Sequence, residues 1–125
     1  MEREILSERI LKGFDRTSFN VVKFFFNWGA RGRFISSDGK TDFEEEIRNL
    51  SIPLLFVNGD RDVAVTQATV REAYEKAASG DKTFKVFGGE HPGLHWGHID
   101  LILGRHAPEI TWPYMLEWMN RRLSL

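Results

Sequence analysis

All four histidines of this chain lie in one stretch, HPGLHWGHIDLILGRH, at residues 91–106. Histidine is the side chain best suited to proton transfer near neutral pH, and it is also a common metal ligand. Two aspartates, Asp60 and Asp62, lie upstream in the segment GDRDVAV. An aspartate that orients a histidine and stabilises its imidazolium form makes up the rear half of a nucleophilic triad. The sequence therefore predicts either a catalytic histidine or a metal site.

The metal interpretation has a set of candidate ligands. They are His91, His95, His98, Glu90 and Asp100. The histidine spacing superficially resembles that of zinc ligands. However, Pro92, Gly93 and Gly97 indicate a loop rather than a helix face that would align the ligands. We therefore favour the catalytic interpretation and predict no metal and no cofactor.

The other polar residues of these two segments have ordinary interpretations. Asp60 is predicted to be a turn residue, because Asx turns recur ahead of helices. His91 and His95 are predicted to be solvated loop residues, and His106 to flank the start of the last helix. His98 also has such an alternative, as a loop histidine bonded to Asp62 or to a backbone carbonyl.

The elements that position these residues follow from the hydrophobic pattern. The run IPLLFVNG, residues 52–59, is typical of a parallel strand covered on both faces. Residues 66–80 predict a helix that stops at Gly80. Residues 83–89 predict a second strand, and residues 109–123 a closing helix with Thr111 as its cap. Strand, helix, strand and helix in this order predict a parallel βαβ unit of the α/β class.

The predicted topology brings the aspartates and the histidines together. Functional groups collect at the carboxyl ends of parallel strands, and neighbouring strands lie about 5 Å apart. Asp62 follows the first strand and His98 lies in the loop after the second. We therefore expect these two side chains to approach within hydrogen-bonding distance.

The first fifty residues predict a mainly helical segment. Helices are expected over residues 2–14 and 15–32, then a loop with an Asp38-Gly39 turn, then a helix opened by Thr41. The second helix contains an aromatic cluster, formed by Phe24, Phe25, Phe26 and Trp28. This cluster either packs between the N-terminal helices and the sheet or forms an apolar pocket or lid surface. In the second case its rings would be left partly uncovered, as at interfaces.

Two segments, residues 52–65 and 87–119, resemble the C-terminal half of an α/β-hydrolase of the esterase or lipase-like type. The acid turn of that family commonly reads Gly, two variable residues, Asp, two more and Val, which Gly59, Asp62 and Val65 match. The catalytic histidine of the family often stands in a Gly-His-hydrophobic-Asp-Leu context.

Residues 97–101 match this histidine context. The resemblance therefore implies that Asp62 is the triad acid and His98 the base. It also implies a partial α/β-hydrolase fold over a single domain, residues 1–125. Residues 1–50 would form a lid-like helical segment and residues 51–125 the C-terminal βαβα part.

The chain departs from the family in one respect that matters for activity. No G-x-S-x-G pentapeptide precedes the acid, so the nucleophile is absent, and the strand of the oxyanion hole is missing too. We predict a hydrolase of the carboxylic ester class by resemblance, inactive as an isolated chain. The alternative is a non-catalytic assembly module derived from the same fold.

The expected partner is a second copy or the missing half of the hydrolase. Strand 52–58 would have an open edge, which predicts a homodimer through that edge or pairing with an N-terminal hydrolase half. Seventeen basic and eighteen acidic residues give a net charge of −1, which disfavours nucleic acid as a partner. The absence of cysteine, of a signal peptide and of a long apolar run predicts a cytoplasmic protein with no membrane span.

Overall fold

The structure, a computed structural model, describes residues 18–123. The helix predicted over residues 2–14 lies outside the described residues. The helices and strands are α1 (Phe19–Arg31), α2 (Phe43–Glu46), β1 (Leu54–Gly59), α3 (Gln67–Lys76), β2 (Lys82–Phe87), α4 (Asp100–Leu103) and α5 (Thr111–Asn120). None of these helices is long and apolar enough to cross a membrane. The described chain is α/β, with a small sheet and flanking helices.

The sheet consists of β1 and β2, which run parallel from Leu54 opposite Lys82 to Gly59 opposite Phe87. Helix α3 lies between them in sequence, so the predicted parallel βαβ order is confirmed. The prediction that β1 is covered on both faces is wrong for most of the strand, since only Asn58 and Gly59 are buried. A sheet of two strands offers too few neighbours to bury a strand throughout.

The hydrogen bonds of β1 show which of its N–H groups face β2. The N–H of Leu54 donates to the carbonyl of Asp81 at 2.9 Å, toward β2. Because successive N–H groups of a strand point to opposite edges, those of Leu55 and Val57 point away from β2. In the described part of the chain, no further strand pairs with that edge.

The buried core lies at the carboxyl end of β2 and contains Phe87, Trp96, Leu101 and Ala107. The ring centroids of Trp96 and Phe87 lie 6.1 Å apart, and Tyr114 of α5 packs edge-on against Phe87 at 5.5 Å. Aromatic side chains of this size contribute much of the apolar area that a small core buries. Through Trp96, the core ties the loop after β2 to α4 and α5.

Helix α5 begins differently from the prediction. Thr111 is its first helical residue rather than its cap, and Ile110 precedes it. The Thr111 side chain is fully buried, and its hydroxyl donates to the carbonyl of Leu101, with the carbonyl of Ala107 as a second acceptor at 3.3 Å. The hydroxyl therefore ties α5 to α4 and is not available to cap its own helix.

Two other helix ends also differ from the prediction. Helix α2 is capped by Asp42 rather than Thr41, because the Asp42 carboxylate accepts two N–H groups of the first turn at 3.0 and 3.4 Å. Helix α3 ends at Lys76, before the predicted stop at Gly80, because the backbone becomes extended at Ala77.

The aromatic cluster of α1 packs locally. Trp28 contacts Phe34 in the following segment, and its indole N–H donates to the carbonyl of Ile35 at 2.7 Å. No residue of α1 is buried, and Phe25 and Phe26 are strongly exposed. Of the two interpretations of this cluster, the described residues favour the exposed apolar surface.

Replacing Gly59 by alanine is expected to destabilise the fold, because the new Cβ would collide with the carbonyl group of Trp96. Overpacking of this kind costs about 1–3 kcal/mol, which the free energy of unfolding in urea would measure. The matched control is Gly29→Ala in α1, where the added Cβ meets no atom and alanine is favoured by about 1 kcal/mol. A Gly59→Ala variant as stable as the wild type would contradict the close approach of Trp96 to β1.

Candidate active site

The acid turn, residues 59–66, connects β1 to α3. The N–H of Asp62 donates to the carbonyl of Gly59 at 3.2 Å and closes the turn. Oδ1 of Asp62 accepts the N–H groups of Ala64 and Val65 at 3.0 and 2.8 Å. The Asp62 side chain is only 3% exposed. The turn thus folds around a carboxylate with one oxygen already committed to the backbone.

Asn58 supports the same turn from the end of β1. Its amide nitrogen Nδ2 donates to the carbonyl of Val65 at 2.9 Å and to Oδ2 of Asp62 at 3.4 Å. The residue is 2% exposed. Sequence reasoning did not identify Asn58, although an amide within the apolar run of residues 52–59 is a signal that could have pointed to it.

His98 pairs with Asp62 across the carboxyl end of the sheet. Nδ1 of His98 lies 2.9 Å from Oδ2 of Asp62, so the predicted approach of these two side chains is confirmed. The imidazole is 52% exposed, whereas the carboxylate is buried. Because Asp62 occupies Nδ1, Nε2 is the ring nitrogen that can exchange a proton with a bound hydroxyl or water.

The same two loops form a second aspartate–histidine pair. Nδ1 of His95 lies 2.5 Å from Oδ2 of Asp60, and Oδ1 of Asp60 accepts the N–H of Trp96 at 2.9 Å. Asp60 lies in the turn and His95 is an exposed loop residue, as predicted for both, but their pairing with each other was not predicted. Two aspartates separated by one residue, opposite two histidines separated by two, are the signal that could have predicted this pair.

Backbone hydrogen bonds join the two loops and set their alignment. The N–H of Asp60 donates to the carbonyl of Phe87 at 2.8 Å, and the N–H of Arg61 donates to the carbonyl of Trp96 at 3.0 Å. Position 88, directly after β2, requires glycine for two reasons. A Cβ there would collide with the Asp60 side chain, and the backbone φ is 154°. The loops therefore continue to exchange backbone hydrogen bonds beyond the ends of β1 and β2.

The histidine stretch does not assemble the metal ligands considered above. In the described part of the chain, no three His, Cys, Asp or Glu side chains converge to hold a metal ion. His95 and His98 contact different carboxylates. His91 is exposed, and Nδ1 of His106 lies 3.2 Å from Oε2 of Glu109, just before α5, as predicted for these two histidines.

The surroundings of both aspartates favour their ionised form. Burial is the largest influence on the pKa of Asp62 and raises it, but His98 and two backbone N–H groups outweigh burial, so the pKa lies below the ordinary value of 3.8. Burial likewise raises the pKa of Asp60, and the N–H of Trp96 together with His95 brings it below 3.8. Both carboxylates are anionic at neutral pH and can stabilise an imidazolium.

The Asp62–His98 pair has no serine hydroxyl among its hydrogen-bond partners in residues 18–123. The serines in the described range are Ser18, Ser36, Ser37, Ser51 and Ser79. Ser36 donates its hydroxyl to Asp38, and Ser79 donates to the carbonyl of Asp81. Within residues 18–123, His98 forms its side-chain hydrogen bond with Asp62 and none with a serine.

The chain is similar to caffeoylshikimate esterase of Arabidopsis thaliana, with 29% identity over 86 residues. The similar region makes up 68% of this chain and 24% of the esterase, so it covers about a quarter of the relative's length. No family model matches the chain, and no solved structure matches it. An esterase is a hydrolase, and the similarity therefore supports a relation to hydrolases.

Acid is expected to destabilise the protein through Asp60 and Asp62. Both have a pKa below 3.8 in the fold, so their contribution is complete above the unfolded pKa and is lost as the pH falls through the folded pKa. The free energy of unfolding in urea should therefore fall below about pH 4.

Asp62→Asn should flatten this fall, because the substituted side chain no longer binds the proton. Glu75→Gln removes an exposed carboxyl from α3 and serves as the control, which should keep the wild-type slope. An unchanged slope in Asp62→Asn would show that this carboxylate does not contribute to the acid sensitivity.

Proposed function

We propose that this chain carries the acid and base of an α/β-hydrolase site, with Asp62 as the acid and His98 as the base. The complete site would hydrolyse carboxylic esters. The observation that carries the proposal is the 2.9 Å distance between Nδ1 of His98 and the buried carboxylate of Asp62. A serine hydrolase requires this geometry of its orienting acid and general base. The similarity to an esterase adds independent support.

The geometry suits this pair to general base catalysis. Oδ2 of Asp62 accepts the Nδ1–H of His98, so Nε2 carries the lone pair that takes the proton of an attacking hydroxyl. The resulting imidazolium is stabilised by the Asp62 anion, which two backbone N–H groups hold in place. As the hydroxyl oxygen bonds to the ester carbonyl carbon, the imidazolium gives the proton to the departing alkoxide, and the acyl group stays on the nucleophile. A water molecule that gives a proton to His98 then attacks this acyl group, which releases the carboxylic acid and restores the hydroxyl.

The proposal requires a nucleophile in a context that this sequence does not contain. A strand from a further segment would add at the open edge of β1, because the N–H groups of Leu55 and Val57 point there. In a parallel sheet, that strand would deliver its hydroxyl to the carboxyl edge where His98 lies. Without such a segment, the chain is expected to be inactive.

A chimera tests this function. The segment of caffeoylshikimate esterase that is similar to this chain is replaced by the corresponding residues of this chain. The chimera is expected to hydrolyse p-nitrophenyl esters, whereas the isolated chain should stay at the background rate of free imidazole. Asp62→Asn should lower kcat of the chimera by about 10⁴-fold and His98→Ala by about 10⁶-fold, as loss of the acid and of the base does in triad enzymes.

His95→Ala is the matched control, because His95 pairs with Asp60 and not with Asp62. This variant of the chimera should retain most of its activity. An active chimera that loses nothing on His98→Ala would contradict the assignment of the base.

A role in assembly is the second candidate function, and the open edge of β1 favours it. Within residues 18–123, the N–H groups at that edge have no strand partner, and such an edge on an apolar strand is a template for pairing with another strand. A two-stranded sheet is also marginal by itself. We propose that, where no hydrolase segment occupies the edge, two copies pair there antiparallel about a two-fold axis and form a four-stranded sheet.

The substitution Val57→Pro is expected to block this pairing. It removes an N–H group that points to the open edge and leaves in place the N–H groups of β1 that donate to β2. Light scattering at micromolar concentration should then show a monomer where the wild type is a dimer. The matched control is Phe56→Pro, which removes a donor to β2 and should disrupt the β1–β2 ladder itself. A wild-type chain that is monomeric under these conditions would contradict the homodimer.

A further inference from the structure

We infer that Asn58 is a positioning residue of this site. Its amide fixes the Asp62 carboxylate, so that neutral His98 carries its proton on Nδ1 and leaves the lone pair of Nε2 free. The inference rests on the proposed function and adds to it a residue that the resemblance to hydrolases does not supply.

The amide nitrogen of Asn58 is directed into the acid turn. Nδ2 donates to the carbonyl of Val65 at 2.9 Å and to Oδ2 of Asp62 at 3.4 Å. Both partners are acceptors, so the amide can serve them only with its nitrogen facing the turn. Because the backbone already holds Oδ1 of Asp62, Asn58 restrains the remaining oxygen, which is the one that contacts His98.

The other end of the same amide indicates that the asparagine serves the turn rather than the core. Oδ1 of Asn58 is buried and has no hydrogen-bond partner among the described residues. A buried acceptor left unsatisfied is destabilising. An apolar side chain of similar size would avoid this penalty in a strand that is otherwise apolar from Leu54 to Val57. The hydrogen bonds of the amide nitrogen therefore account for asparagine at position 58 better than packing does.

The position of the carboxylate decides which nitrogen of His98 carries the proton. In a neutral imidazole, the hydrogen bond made by one nitrogen sets the protonation of the other. With Oδ2 of Asp62 fixed beside Nδ1, the Nδ1–H tautomer is favoured and Nε2 can act as a base. If Asp62 loses its restraint from Asn58, this preference weakens and the Nε2–H tautomer gains population.

Nitrogen NMR of the histidine rings in the full chain tests this inference without a nucleophile. Above about pH 8, where free histidine is neutral, wild-type His98 should be mainly the Nδ1–H tautomer. Asn58→Leu keeps the volume but removes the donors, and should shift His98 mainly to Nε2–H. His95 should keep its wild-type signal. Asn49→Leu, at the exposed end of the 3₁₀ helix Ile47–Asn49, is the matched control that should change neither histidine.

A folded Asn58→Leu variant in which His98 remains mainly Nδ1–H overturns the inference. If circular dichroism shows that this variant does not fold, Asn58→Ala takes its place. Failure of both variants to fold also overturns the inference, because Asn58 would then be a structural residue. The chimera tests the proposed function separately. If His98→Ala lowers its kcat while Asn58→Leu leaves the His98 tautomer unchanged, only the role of Asn58 is rejected.

Discussion

The hydrogen bond from the N–H of Arg61 to the carbonyl of Trp96 is the contact on which the rest of the site depends. It extends the pairing of β1 and β2 into two loops that have no regular structure of their own. Trp96 is also the largest fully buried side chain among the described residues. Its backbone is hydrogen-bonded to the acid turn and its indole ring is packed in the core, so the loop is held on both sides. With Trp96 fixed in this way, the histidines on either side of it reach the two aspartates.

Two kinds of information made parts of the fold predictable from sequence. They are the local hydrophobic patterns and the rule that a strand–helix–strand unit forms a parallel pair. The apolar run before Gly59 and the helical periodicity after Thr66 define β1 and α3, and the order of elements implies parallel pairing. Parallel pairing places the segments that follow both strands at one edge of the sheet, which was the basis for expecting Asp62 and His98 to approach each other. Helix ends are less predictable, since adjacent residues such as Thr41 and Asp42 can both cap and only their backbone angles decide.

The remaining features of the site depend on how the loop rotates about Trp96, which no local pattern encodes. The pair of His95 with Asp60 exists because the backbone of Trp96 donates to Asp60 and accepts from Arg61. The part played by Asn58 depends on the closed turn that brings Val65 back to the end of β1. The partial exposure of β1 has a similar cause, since coverage of a strand is a property of its neighbours in space.

The anchoring of Trp96 also limits which changes in loop length this surface can accept over evolution. The hydrogen bonds from the loop to the acid turn are made by His95, Trp96 and His98. An insertion within residues 95–98 would move one histidine away from its carboxylate while the other stayed in place. An insertion within residues 89–94 would leave both pairs and the buried indole intact. Length variation among descendants of this chain is therefore expected before His95, with the spacing between the two histidines kept constant.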